Sequence, residues 1–267
     1  MSIAAVYQKL RDQGQKALIP YVTAGDPSLA ELPAILDALT EGGADLIEIG
    51  IPFSDPIADG PTIQASTQRA LDRGVRPGDV LDLLAAERAK HDWPPIIFMG
   101  YYNPVLRMGL ESFAERAKAA GAAGSIISDL TPEAAADWIA ASQAHGLENV
   151  FLIAPTTTDE RLAQVAGYGS GFIYAVSRTG VTGHSQEVPP EVRGLVSRMK
   201  AVSPLPVAVG FGISQPQHVR MVCEVADGAV VGSVLVELLA REWQGGAGRE
   251  KVVEFIRTLK NAACSSQ

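Results

Sequence analysis

Short apolar runs alternate with longer amphipathic stretches along the chain. The apolar runs are Ala17–Val22, Leu46–Ile49, Ile96–Tyr101, Ser125–Ser128, Val150–Ile153, Phe172–Val176, Pro206–Val209 and Ala229–Val231, and each has the length and β-branched content of a buried strand. Between them, apolar residues recur at helical spacing in Leu29–Thr40, Val80–His91, Leu110–Ala120, Pro132–His145, Glu160–Ala166, Pro190–Val202, Gln215–Val225 and Val234–Arg241, with a last helix through Lys251–Asn261. Ile3, Val6 and Leu10 place one more helix ahead of the first strand. Gly-Gly-Ala-Asp, Ala-Gly-Ala-Ala-Gly and Val-Ala-Asp-Gly stand just before strands, where a helix must end and turn back. Eight strand–helix units predict an α/β protein, a single (β/α)8 TIM barrel with an extra N-terminal helix, occupying 1–267 as one domain. A doubly wound open sheet is the alternative, disfavoured because no GxGxxG follows the first strand.

Composition narrows the function. Apolar residues make up 47% of the chain, enough for a sizeable core, and the net charge of −8 argues against nucleic acid and anionic membranes as partners. Cys223 and Cys264 have no zinc spacing and suggest no disulfide framework, which fits a reducing compartment. The N-terminus turns polar too quickly for a signal peptide, and no apolar run reaches membrane-spanning length. The expectation is a soluble cytoplasmic protein.

In a barrel, function gathers at the carboxyl ends of the strands. The stretch DLIEIGIPFSDPIADGPTIQ, 45–64, ends one strand and carries three acids out of it. Alternation puts Glu48 on one face with Leu46, so its carboxyl enters an apolar setting that raises its pKa. Such a group both gives and takes a proton near neutrality. Pro52, Pro56 and Pro61 stiffen the loop that holds Asp55 and Asp59, and the loop is able to aim Asp59 into the same cavity. The competing reading pairs Glu48 with a buried Lys or Arg and makes the two aspartates turn caps.

Other strand ends add to the picture. Gly210, Gly212, Gly232 and Ser233 follow the seventh and eighth strands, where barrels often bind phosphate. Ordinary tight turns are the alternative. Ser177–Glu187 reads as a closing lid in which Thr182 reaches Asp59, or as a plain surface loop. Tyr21, Met99, Tyr101, Tyr174 and Phe211 stand where they would wall a flat apolar pocket for an aromatic ring. A substrate aromatic at one end and phosphorylated at the other would fill both features. The histidines are scattered, so no metal is expected, and no lysine ends a strand, which disfavours Schiff-base chemistry.

IPYVTAGDP (19–27), PFSDPIADGP (52–61), GYYNP (100–104), SDL (128–130), APTT (154–157), IYAVSRTGVTG (173–183), PVAVGFGIS (206–214) and VVGS (230–233) occur in one order over almost the whole chain. In this the chain resembles the alpha subunit of tryptophan synthase. The resemblance implies cleavage of indole-3-glycerol phosphate to indole and glyceraldehyde 3-phosphate, with Glu48 as general acid/base and Asp59 taking up charge at the indole nitrogen. It implies that Tyr21, Met99, Tyr101, Tyr174, Thr182 and Phe211 line the substrate, and that Gly183, Gly212, Gly232 and Ser233 hold the phosphate. It further implies no cofactor on this chain and an alpha2beta2 complex with a beta subunit that carries pyridoxal phosphate. Loops with Pro52, Asp55, Asn103 and Pro104 would meet that partner, so Asp55 reads as an interface residue. A stand-alone indole-releasing lyase and an inactive activator of the partner are the alternatives; retention of Glu48, Asp59 and Tyr174 argues against the second.

Overall fold

The computed structural model describes residues 1–176, 188–210 and 212–264. Its strands are β1 Ala17–Thr23, β2 Ile47–Gly50, β3 Ile96–Gly100, β4 Ala122–Ile127, β5 Glu148–Asn149, β6 Phe151–Ile153, β7 Ile173–Val176, β8 Val207–Gly210 and β9 Gly228–Val231. All pairings are parallel, in the order β5-β4-β3-β2-β1-β9-β8-β7-β6. Only Val150 separates the two ends of that order, and its N–H donates to the Ser125 carbonyl at 3.0 Å. The sheet therefore closes through the chain itself. β5 and β6 are two halves of one stave, the first bonded to β4 and the second to β7.

Helices surround the staves: α1 Ile3–Asp12, α2 Leu32–Gly42, α3 Pro61–Asp72, α4 Pro77–Glu87, α5 Tyr102–Met108, α6 Leu110–Ala119, α7 Ala136–Ala144, α8 Asp159–Tyr168, α9 Pro190–Val202, α10 Pro216–Val225, α11 Ser233–Glu242 and α12 Arg249–Cys264. Alternation along each strand splits the core in two. Ile47, Ile49, Phe98, Val207 and Val209 join the layer under the helices, whereas Ile19, Leu46, Ile97, Phe172 and Ala208 fill the barrel. The interior is packed, with α1 as its floor. Ile3, Val6, Tyr7 and Leu10 join the inner cluster, and the Ile3 N–H donates to Glu148 Oε2 at 2.6 Å. The plug excludes water from the amino-terminal end and leaves the opposite mouth for chemistry.

Three sequence expectations change. The fourth strand starts at Ala122, and not Ser125. Helix α3 was not foreseen, because the only buried residues of its polar sequence are Ser66, Thr67 and Ala70. Asn103 and Pro104 lie in the first turn of α5 and not in a loop. Proline is tolerated there because first-turn N–H groups have no intrahelical acceptor. The Asp129 carboxylate takes the free Tyr102 N–H at 2.7 Å and fixes where the helix begins.

Candidate active site

Strand β2 turns Glu48 and Gly50 into the barrel, on the same face as Leu46 just before it. Glu48 lies in register with Tyr21 on β1 and Ile97 on β3. It is 1% exposed, and its Oε2 has no hydrogen-bonding partner among the described residues. Among the described residues no Lys or Arg pairs with Glu48 to offset the burial. Burial, and secondarily the charge of Asp59, push its pKa up to about 8. A carboxyl so placed keeps its proton at neutral pH.

Asp59 sits on the loop between β2 and α3. Burial raises its pKa as well, opposed by a hydrogen bond from the Tyr101 hydroxyl. Tyr101, at the end of β3, also accepts the Ala58 N–H at 3.0 Å and packs against the Phe53 ring at 5.3 Å. One phenol thus fixes both the backbone and the carboxyl of this loop. Two carboxyl groups in unlike settings lie near enough for Glu48 to feel the charge of Asp59, and among the described residues only Asp59 has a donor to steady its anion. That is the arrangement for an acid/base group beside a charge-stabilising group.

Two tyrosines complete the walls. The Tyr21 hydroxyl lies over Gly50, where a Cβ would meet it at 2.0 Å, and the Tyr174 hydroxyl lies over Gly210, where a Cβ would meet it at 2.5 Å. In each case the glycine stands two residues beyond the tyrosine's register partner, Glu48 for Tyr21 and Ala208 for Tyr174. The missing side chains are what let the rings lie across the mouth. Both phenols are held well above their ordinary pKa, first by burial, and each also feels Glu48 and Asp59. Met99 packs against the inner cluster below them.

Next to this wall lies the helix start that the sequence marks for an anion. Gly232 is the N-cap of α11 with Ser233 as its first residue, and a Cβ on Gly232 would be 3.7 Å from that of Tyr21. Gly212 holds φ +56°, which opens its turn in a way a side chain would resist. The free N–H groups of a helix start attract anions. Thr182, Gly183 and Phe211 lie outside the described residues.

On the outer rim, Pro52 is buried and Asp55 exposed, its carboxylate accepting the Ser54 hydroxyl at 2.5 Å. Asn103 is exposed and Pro104 half-buried. Ile57, 80% exposed, and Leu106, 55% exposed, are large apolar side chains on the same rim segments. Among the described residues, no three His, Cys, Asp or Glu side chains are arranged to hold a metal.

Sequence reasoning missed how α3 supports the site. Arg69 grips the buried Asp26 with two bonds, 2.9 and 2.6 Å, and Ser66 bonds Thr23 at 2.7 Å. Both contacts pin the end of β1 to the helix that follows Asp59. No local pattern signals them, since the partners are 43 residues apart.

Known proteins share this sequence and fold. Residues 7–264 match the family model described as tryptophan synthase alpha chain. A tryptophan synthase alpha chain of Geobacter sulfurreducens is 45% identical over 260 residues, covering 97% of this chain and 98% of its own. One from Burkholderia pseudomallei is 47% identical, with 97% and 96% covered. The crystal structure of tryptophan synthase subunit alpha from Legionella pneumophila superposes with a TM-score of 0.89 at 35% identity, over 98% of each chain. A Mycobacterium tuberculosis tryptophan synthase structure gives 0.88 at 38% identity, again over 98% of each.

Proposed function

The chain belongs to the tryptophan synthase alpha chain family, and from that premise we propose that Glu48 and Asp59 carry out the cleavage of indole-3-glycerol phosphate at the mouth of the barrel. The chain is a carbon–carbon lyase of tryptophan biosynthesis. The observation that carries the residue assignment is the buried Glu48, whose Oε2 has no partner among the described residues and whose pKa is pushed up to about 8 by burial and by the nearby charge of Asp59.

Indole is a poor leaving group as a carbanion. Glu48 gives its proton to indole C3, and the ring becomes an indoleninium cation with its charge at N1. The Asp59 carboxylate, steadied by Tyr101, stabilises that cation. Glu48, now ionised, takes the proton of the hydroxyl on the carbon attached to C3. The C–O bond becomes a carbonyl, the carbon–carbon bond breaks, and its electron pair restores the aromatic ring. Glyceraldehyde 3-phosphate and indole leave, and Glu48 again holds a proton. Each proton transfer contributes roughly 10²–10⁴ in rate.

Tyr21, Met99, Tyr101 and Tyr174 wall the indole, and Thr182 and Phe211, outside the described residues, belong to the same substrate-binding set. Gly183, Gly212, Gly232 and Ser233 hold the phosphate. The chemistry uses this chain's own groups and no cofactor. The rim with Pro52, Asp55, Asn103 and Pro104 docks a beta subunit that carries pyridoxal phosphate, in an alpha2beta2 complex. The chain works as one domain in the cytoplasm; no described helix is long and apolar enough to cross a membrane. The test is indole release from indole-3-glycerol phosphate, with and without a beta subunit. Glu48→Gln and Asp59→Asn should each abolish it while the fold survives; substantial release by either variant would refute the assignment.

A further inference from the structure

A line of buried hydroxyls leaves the site through Tyr21. The Tyr21 and Thr23 hydroxyl oxygens are 3.4 Å apart, those of Thr23 and Ser66 are 2.7 Å apart, and the Ser66 hydroxyl is 2.8 Å from the Ile63 carbonyl. Thr23 and Ser66 are buried, at 2% and 0% exposure. The last contact sets the direction of all the others. A carbonyl only accepts, so Ser66 spends its one proton on Ile63. Thr23 must then donate to Ser66, and Tyr21 must donate to Thr23. The 3.4 Å step is long for such a bond and is the weakest of the three.

The consequence falls on the slot. With its proton committed to Thr23, the Tyr21 oxygen offers the cavity a lone pair and nothing else. Its position over Gly50, two residues beyond Glu48 on the same strand, puts that lone pair between the general acid and the mouth. We infer that Thr23 and Ser66 are positioning residues that fix Tyr21 as a hydrogen-bond acceptor for a hydroxyl of the ligand's glycerol chain. A phenol free to turn would present donor and acceptor equally, and it would discriminate less between hydroxylated and plain alkyl chains. This rests on the reading of the site as an indole-3-glycerol phosphate site.

The test is binding, so that turnover does not mask it. Dissociation constants are measured in a Glu48→Gln background for indole-3-glycerol phosphate and for indole-3-propyl phosphate, which lacks the hydroxyls. Tyr21→Phe, Thr23→Val and Ser66→Ala should each weaken the hydroxylated ligand by about tenfold, the size of one hydrogen bond, and the propyl compound by less than about twofold. Thr23→Ser, which keeps the hydroxyl, should restore tight binding. Once Tyr21 is Phe, adding Thr23→Val should change nothing further. Equal losses for both ligands, no loss for either, or a Thr23→Val effect that persists without the phenol would overturn the inference. If the parent chain binds neither ligand, the proposed function falls and takes the relay's role with it.

Discussion

The Tyr101 hydroxyl bonds the Asp59 carboxylate while accepting the N–H of Ala58, one residue earlier, at 3.0 Å. The phenol therefore holds the backbone ahead of Asp59 and favours the anion of its carboxyl. Removing it should let the loop drift and leave burial unopposed at that carboxyl, raising its pKa further. Asp59 acts as an anion, so its activity would then be lost at a higher pH on the acid side. We expect Tyr101→Phe to lower kcat/KM by roughly tenfold or more, the cost of one charge-assisted hydrogen bond, and to move the acid limb of the pH–rate profile upward. A profile superposable on the wild type would contradict this role.

Glu48 links activity and stability to pH in the same direction. In the unfolded chain its carboxyl titrates near the ordinary 4.5, and in the folded chain near 8. The folded state's preference for the protonated form contributes stability that is full below 4.5. It is lost as pH climbs toward about 8. Glutamine has the same shape and no charge to bury, so Glu48→Gln escapes that loss. We expect the variant to match the wild type near pH 4.5 and to exceed it by a few kcal/mol above pH 8. Thermal unfolding of both proteins across this range gives the comparison. In the active enzyme the same titration removes the acid, so indole release should decline above about pH 8.

Much of this arrangement is legible from the chain. Glu48 betrays itself because an acid in an alternating apolar strand has to face either water or a cavity, and the strand is too apolar for water. The eight staves show through their turn glycines. What stays hidden has long-range causes. Helix α3 buries only Ser66, Thr67 and Ala70, so its periodicity is written in small residues rather than in aliphatics. The end of β1 is pinned by Asp26 and Thr23 to partners 43 positions away, which no spacing rule reaches. α5 is hidden because Asn103-Pro104 reads as a turn until Asp129 supplies the cap.

Gly210 is legible as a glycine at a strand end, but its reason is steric. A Cβ there would sit 2.5 Å from the Tyr174 oxygen and 2.7 Å from a ring carbon. Gly210→Ala should push the ring out of place and lower kcat/KM by one to two orders of magnitude, because small displacements of positioning groups are costly. Tyr174→Phe removes the closest atom, so the double variant should recover part of what Gly210→Ala loses. A purely additive double variant, assayed for indole release, would show that the ring and the glycine do not interfere.

Ile57 offers the cleanest separation of catalysis from partnership. Its side chain is 80% exposed on the loop that two residues later delivers Asp59, and Leu106 shows 55% on α5. Exposed aliphatics this large at a rim are the kind of surface a partner covers. If the beta subunit docks there, its contact with Ile57 bears directly on the loop that places Asp59, and the partner would stimulate indole release through that loop. Ile57→Ser should then leave the fold intact and cut the stimulation by the beta subunit several-fold, with the concentration of partner needed for half-maximal effect rising in step. Leu106→Ser, on a helix that carries no reacting group, should weaken docking while preserving full stimulation at saturating partner. Identical titration curves for both variants and the wild type would place the partner on another face of the barrel.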